Sequence, residues 1–198
     1  MNPEAIEMVK ALRSVRALRR KPVAAKDGRI GGLLDVLFDD RTWAVRYFVV
    51  DNGRPMPQRH VLVEPHRVAE RGDVLQLSLA RGELERCPDL DEHKPVYLQH
   101  DMASVASRGD SHLRSSEVML GSVLRTPAGA AGRLRDLLLD PGNWTVAYLV
   151  DDTGVWLPGK RVLVEPRQVE RIDWIERAVW LRGVAAQSEN SVAPRIAP

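Results

Sequence analysis

The chain is written twice. Sliding the sequence by 101 residues lays GRIGGLLDVLFDDRTWAVRYFVVDNGRPMPQRHVLVEPHRV, from Gly28, over GAAGRLRDLLLDPGNWTVAYLVDDTGVWLPGKRVLVEPRQV, from Gly129, and nineteen of forty-one positions are identical without a gap. The matches include Gly31/Gly132, Asp35/Asp136, Asp39/Asp140, Trp43/Trp144, Tyr47/Tyr148, Asp51/Asp152, Pro57/Pro158 and the block Val61 to Pro65 on Val162 to Pro166. A repeat of this kind constrains the fold more than any local propensity does, because both copies must form the same supersecondary unit.

Within each copy the apolar spacing is that of strands. Val45, Tyr47 and Val49 recur at every second residue, as do Val146, Tyr148 and Val150, and β-branched and aromatic side chains are enriched there. The same pattern predicts strands over Ile30 to Phe38, His60 to Val63 and Val74 to Leu79, with partners at Ala131 to Leu139, Arg161 to Val164 and Ala178 to Leu181. Short first strands are expected at Val23 to Ala25 and Val123 to Arg125, and tight turns at Asp39 to Thr42 and Asp140 to Asn143. Short strands without a long covering helix are expected to curl into small antiparallel barrels that remove their own edges. The expected organisation is a basic arm (1–13), a first barrel (14–80), an acidic exposed linker (81–112), a second barrel (113–186) and a polar tail (187–198) that is disordered in isolation.

Composition narrows the setting. Apolar residues make up 44% and charged residues 28%, with a formal net charge of +2, so bulk charge gives no case for nucleic acid. A single cysteine, Cys87, excludes a disulfide framework and fits a reducing compartment. No apolar run reaches the roughly 18 residues that cross a bilayer, and charges interrupt the N-terminal segment where a secretory signal would need an apolar stretch. The expected location is therefore cytoplasmic.

The two copies differ at the candidate sites in ways that bear on their chemistry. His60, Glu64 and His66 sit at a spacing that places them on one face of an extended strand, where they could ligate a metal. The duplicate carries Arg161, Glu165 and Arg167 at those positions, so imidazoles exchange for guanidiniums while the carboxylate stays. That pattern suits structural ion pairs and not a metal centre. Asp35, Asp39 and Asp51, with Asp136, Asp140 and Asp152, are expected to form turns and strand ends, and no arrangement of nucleophile and base accompanies them. No catalytic residue, metal or cofactor is assigned. Trp43 and Trp144, with Tyr47 and Tyr148, occupy matched positions and are expected to pack in the core or at its rim.

Features confined to one copy suggest a contact surface. Trp156, Trp174 and Trp180 occur only in the second copy, where the same offset finds Pro55, Asp73 and Leu79. The segment 1–26 carries seven basic residues against Glu4 and Glu7, a net charge of +5. Arg16, Arg19, Arg20 and Lys21 are expected to draw in a partner, either a protein or an anionic lipid surface, while these tryptophans supply buried anchors.

These residues resemble the PRC-barrel family. Asp27-Gly28-Arg29-Ile30-Gly31, Asp39 to Trp43, Arg46 to Asp51, and Trp156 to Leu163 follow its pattern in turn. The resemblance covers roughly residues 14–80 and 115–183. The second copy departs from it at Ala128, which replaces Asp27, and the first at Pro55-Met56-Pro57-Gln58. It implies tandem barrels used as non-catalytic docking modules. One such setting is the cytoplasmic part of the photosynthetic reaction-centre H subunit, which caps the complex and aids proton access to quinone. Another is the C-terminal domain of the ribosome maturation factor RimM. The favoured expectation is an H-like docking module on the cytoplasmic side of a larger complex. A freestanding dimeric regulatory protein and a RimM-like accessory are the alternatives, and nucleic acid is disfavoured as a partner.

Overall fold

The structure is a computed structural model that describes residues 9, 11–52, 59–99, 110–152 and 161–182. In chain order its strands are β1 (Arg13–Ser14), β2 (Pro22–Ala25), β3 (Gly28–Asp39), β4 (Val45–Asp51), β5 (His60–Val63), β6 (Val68–Arg71) and β7 (Val74–Leu77). There follow β8 (Leu113–Ser115), β9 (Val123–Thr126), β10 (Gly129–Asp140), β11 (Thr145–Asp152), β12 (Arg161–Val164), β13 (Val169–Asp173) and β14 (Ala178–Leu181). The helices among the described residues are single turns, so the chain is mostly β as its alternation predicts.

Two compact units result, one of Arg16–Glu117 and one of Met1–Val15 with Val118–Pro198. Each holds a seven-stranded mixed sheet. The order is β5-β4-β3-β2-β7-β6 in the first and β12-β11-β10-β9-β14-β13 in the second. The long strand of each unit does two jobs. The first part of β3 pairs with β2, and from Leu33 onward it pairs with β4. A register shift between Leu33 and Asp35 leaves Leu34 as an extra residue, and β10 repeats it between Leu134 and Asp136. Such bulges bend a strand and let it serve two directions of sheet.

The expected closed barrels appear only in their coarser form. No ladder joins the two ends of either strand path among the described residues, and the expected all-antiparallel pairing is corrected by the parallel pairs β2–β7 and β9–β14. Between β5 and β6 the chain turns through a short 3-10 segment, Pro65–Arg67, and Pro166–Gln168 does the same in the other unit. A proline at that corner has no N–H for a ladder, which ends the strand there.

Two further pairings fall outside the strands expected from the sequence. In the Arg16–Glu117 unit, β8 lies along the edge of β3 opposite β4, with Leu37 facing Ser115, Phe38 facing Arg114 and Asp39 facing Leu113. In the other unit β1 lies along β10, with Leu138 facing Ser14 and Leu139 facing Arg13. The donors are themselves a repeat, because Leu12-Arg13-Ser14 and Leu113-Arg114-Ser115 match at the same offset of 101 residues. Each copy thus receives its edge strand from the segment that precedes the other copy.

The cores follow suit. Leu37, Val49, Leu62 and Leu113 cluster with Leu34, Tyr47 and Leu90, and Leu138, Val150 and Val9 cluster with Leu12, Tyr148 and Leu163. Leu113 and Leu12 occupy corresponding places, so the exchanged segments bring apolar anchors as well as backbone rungs. Burying one such leucine contributes roughly 1.5–3 kcal/mol.

The acidic stretch after the first copy also packs. Leu84 is buried, Leu62 N–H donates to the Pro88 carbonyl at 2.9 Å, and Leu90 N–H donates to the His60 carbonyl at 3.0 Å. Residues 81–99 therefore belong to the Arg16–Glu117 unit, where an exposed linker was expected. The tail 187–198 lies outside the described residues.

Candidate docking surface

Among the described residues the two copies differ at one hairpin. β6 and β7 are joined by Gly72 and Asp73, because Arg71 faces Val74. β13 and β14 are joined by the longer Trp174-Ile175-Glu176-Arg177, because Asp173 faces Ala178. The offset between copies grows from 101 at Val68/Val169 to 104 at Val74/Ala178. Trp174 therefore lies in an insertion and has no true counterpart in Asp73.

This tip is built to hold one shape. Asp173 accepts the Glu176 N–H at 3.0 Å and an Arg171 N–H at 3.1 Å. The Glu176 N–H lowers the Asp173 carboxyl below its ordinary value, partial burial opposes this, and Arg171 adds to the lowering. Arg177 adopts a left-handed φ of 48°, which a non-glycine residue tolerates only when the surroundings fix it. Its guanidinium supplies that restraint by donating to the carbonyls of Val118 and Leu120 at 3.3 and 3.1 Å. At the apex Ile175 is 69% exposed, the large apolar side chain most open to solvent among the described residues.

Trp180 stands below the tip on β14. In strand register it faces Arg125 on β9 and Arg171 on β13, and both guanidiniums lie over its ring, at 5.4 and 4.6 Å from the centroid. Cation–π contacts of this kind are worth about 0.5–1 kcal/mol at exposed sites and more when desolvated. The corresponding strand position in the first copy is Gln76, whose amide donates to the Ala24 carbonyl at 3.2 Å. Trp180 is thus half-buried between arginines, and Trp174 is half-buried at the tip. Trp156 lies outside the described residues.

The basic segment divides its roles. Lys21 binds the Glu70 carboxylate at 2.5 Å and the Gly72 carbonyl at 2.8 Å, and Arg19 pairs with Glu117 at 2.9 Å. Both charges are engaged within the Arg16–Glu117 unit. Arg16 and Arg20 are exposed.

Of the residues weighed as ion pairs, Glu64 meets His66 at 3.7 Å and Arg67 at 3.8 Å, and Glu165 meets Arg167. His60 stands apart on β5, because the 3-10 turn that starts at Pro65 takes His66 off the strand. The common strand face expected for the two histidines is therefore not formed. Arg161 opens β12, where it faces Asp152 across the ladder. No group of three or more His, Cys, Asp or Glu among the described residues is placed to hold a metal.

The aspartates separate into two kinds. Asp39 accepts the N–H groups of Arg41 and Thr42 at 2.9 and 3.0 Å, and Asp140 accepts that of Gly142 at 2.8 Å, as turn formers do. Burial raises the Asp39 carboxyl, but these N–H donors and the Arg41 charge outweigh it and the net shift is downward. Asp35 and Asp136 lie inside long strands, where turn or strand-end positions were expected. Asp35 is buried and accepts the hydroxyls of Ser115 and Ser116, at 2.5 and 2.6 Å, and the Glu117 N–H at 2.9 Å. Asp136 accepts the Ser14 hydroxyl. Trp43 stacks on Phe38 with centroids 5.4 Å apart, and Trp144 is buried, which fits their expected packing role.

Residue-by-residue comparison of the copies misses Ile175 and Arg177, yet the change of offset across the hairpin marks both. Among the described residues no helix is long and apolar enough to cross a membrane. No protein-family model matches the chain, and no curated protein matches its sequence.

Proposed function

We propose that the chain is a non-catalytic docking module, with two PRC-barrel-type units that serve on the cytoplasmic side of a larger complex, and that the β13–β14 tip is its contact surface. One observation carries this reading: an insertion confined to the second copy presents Ile175 at 69% exposure on a turn fixed by Asp173 and the Arg177 guanidinium. Fold maintenance acts alike on both copies, and the first closes the same hairpin with two residues. A pre-shaped apolar tip binds at little cost in lost conformational freedom, which is what an interface anchor requires.

The test is capture by the immobilised full chain from native membranes and, separately, from ribosomes. Ile175→Asp is expected to weaken capture from membranes about 30-fold, the equivalent of a 2 kcal/mol anchor. Trp174→Ala is expected to weaken it at every salt concentration, since apolar burial is not screened. If both variants stay folded and are captured like the unmodified chain, the tip is not the contact surface. Capture from ribosomes alone would overturn the membrane-side assignment.

A further inference from the structure

Each copy presents the same edge to the same strand sequence, but the two seats are held very differently. On β3, the incoming Leu113-Arg114-Ser115 is tied at several points. Ser115 and Ser116 donate to Asp35, and Arg114 and His112 reach Asp40 at 2.5 and 2.8 Å. The Asp40 N–H donates to the His112 carbonyl at 3.0 Å, extending the ladder by one rung. On β10, the incoming Leu12-Arg13-Ser14 keeps the hydroxyl bond from Ser14 to Asp136, but three of the other groups are replaced. Val15 stands where Ser116 is, Pro141 where Asp40 is, and Ala11 where His112 is. Val15 has no hydroxyl, and Pro141 has neither a carboxylate nor an N–H. The β1 ladder accordingly has two paired residues where β8 has three.

An edge strand held this way belongs to the low-stability end of a fold and opens locally before the rest. Its departure uncovers the edge of β10 and leaves Leu138, Val150 and Leu163 without Val9 and Leu12. The sequence that fits this vacancy is already known from the structure: another Leu-Arg-Ser segment, with a leucine for the apolar cluster and a serine for Asp136. A second copy of the chain carries that segment in the same context, and a reciprocal exchange between two chains restores every contact that opening removes.

We propose that the β10 edge is an exchangeable strand seat and that its alternative occupant is the Leu12–Ser14 strand of a second copy, which yields an arm-exchanged dimer. The β8 strand stays on its own chain, because its seat carries the full set of ties. This proposal is independent of the docking tip and stands or falls without it.

The experiment uses the full chain with Cys87→Ser as background and Arg13→Cys with Leu139→Cys as a trap across the β1–β10 register. Oxidation after incubation at rising concentration is expected to convert an intrachain disulfide into a covalent dimer on non-reducing gels. Light scattering on the unmodified chain should show a dimer whose ratio to monomer falls about tenfold on tenfold dilution while monomer predominates. Co-capture of two differently tagged copies should disappear in Arg13→Pro, which removes a backbone N–H from the exchanged strand. Only intrachain disulfides and a monomeric mass up to several hundred micromolar would overturn the proposal. So would a dimer that survives Arg13→Pro, since it would use another surface.

Discussion

Replacing Asp35 by alanine tests the exchanged-strand architecture where its chemistry is most concentrated. The carboxylate accepts the hydroxyls of Ser115 and Ser116 and the Glu117 N–H, all brought by the segment preceding the other copy. Removing it takes the acceptor from four donors, these three and the Val36 N–H, at about 1–3 kcal/mol for each that stays buried and unpaired. Part of this returns, because burial disfavours the ionised carboxyl and raises its pKa despite the bonds from Ser115, Ser116, Glu117 and Val36. The expected net loss is about 3 kcal/mol, read by hydrogen exchange of β3 and β8 amides. Asp136→Ala should cost only about 1 kcal/mol, since Asp136 is half-buried and Val15 replaces the second hydroxyl. The pH dependence has a fixed sign. A carboxyl whose folded pKa is raised contributes stability that is fully present below the unfolded value and is lost as pH rises through the folded pKa. The gap between unmodified and Asp35→Ala protein should therefore widen as pH falls from neutral toward 4. Equal losses at the two seats, or a gap that narrows on acidification, would refute this account of Asp35.

Other perturbations have equally definite outcomes. Gly31→Ala should cost about 1–3 kcal/mol in urea unfolding, because a Cβ there would lie 2.7 Å from the Asp51 carbonyl, while Gly32→Ala should be near neutral with nothing within 4 Å. Leu84→Ala should destabilise the Arg16–Glu117 unit by about 2–5 kcal/mol if the acidic stretch packs as described, against a negligible effect for an exposed linker. Cys87 should alkylate with iodoacetamide more slowly than a free thiol at pH 8, since burial pushes its thiol up and neighbouring Arg67 only partly offsets this. Fast labelling at that pH would contradict the packing around it.

Much of the fold was legible because two copies constrain each other. Period-2 alternation located β4 and β11, short apolar runs located β5, β12 and β14, and the Asp39 and Asp140 turns follow from side chains that accept nearby backbone N–H groups. β1 and β8 were not seen, since strands of two and three residues carry no periodicity and their partners lie over a hundred or some eighty residues away. The signal existed in the continued identity of Leu12-Arg13-Ser14 and Leu113-Arg114-Ser115. Charge misleads over residues 81–99: Glu83, Glu85, Asp91 and Glu92 are exposed, but Leu84 is buried, Leu90 packs on the core and Asp89 pairs with Arg59. At the docking surface, Trp174 and Trp180 stood out as residue types. Ile175 depends on the hairpin's length, which only a change of offset reveals. Arg125 and Arg171 lie over the Trp180 ring in a cross-strand stack that a sequence does not display.

A docking role requires that the β13–β14 tip touch a partner. The decisive measurement places a photoreactive amino acid at Ile175, with a second at exposed Asp73 in the turn of the β6–β7 hairpin of the first copy as the matched control. Irradiation in native membranes should give one dominant protein adduct from the Ile175 position, competed away by excess unmodified chain and absent at the control position. Equal, non-competed labelling from both hairpins, or none from Ile175, would contradict a docking role for this tip.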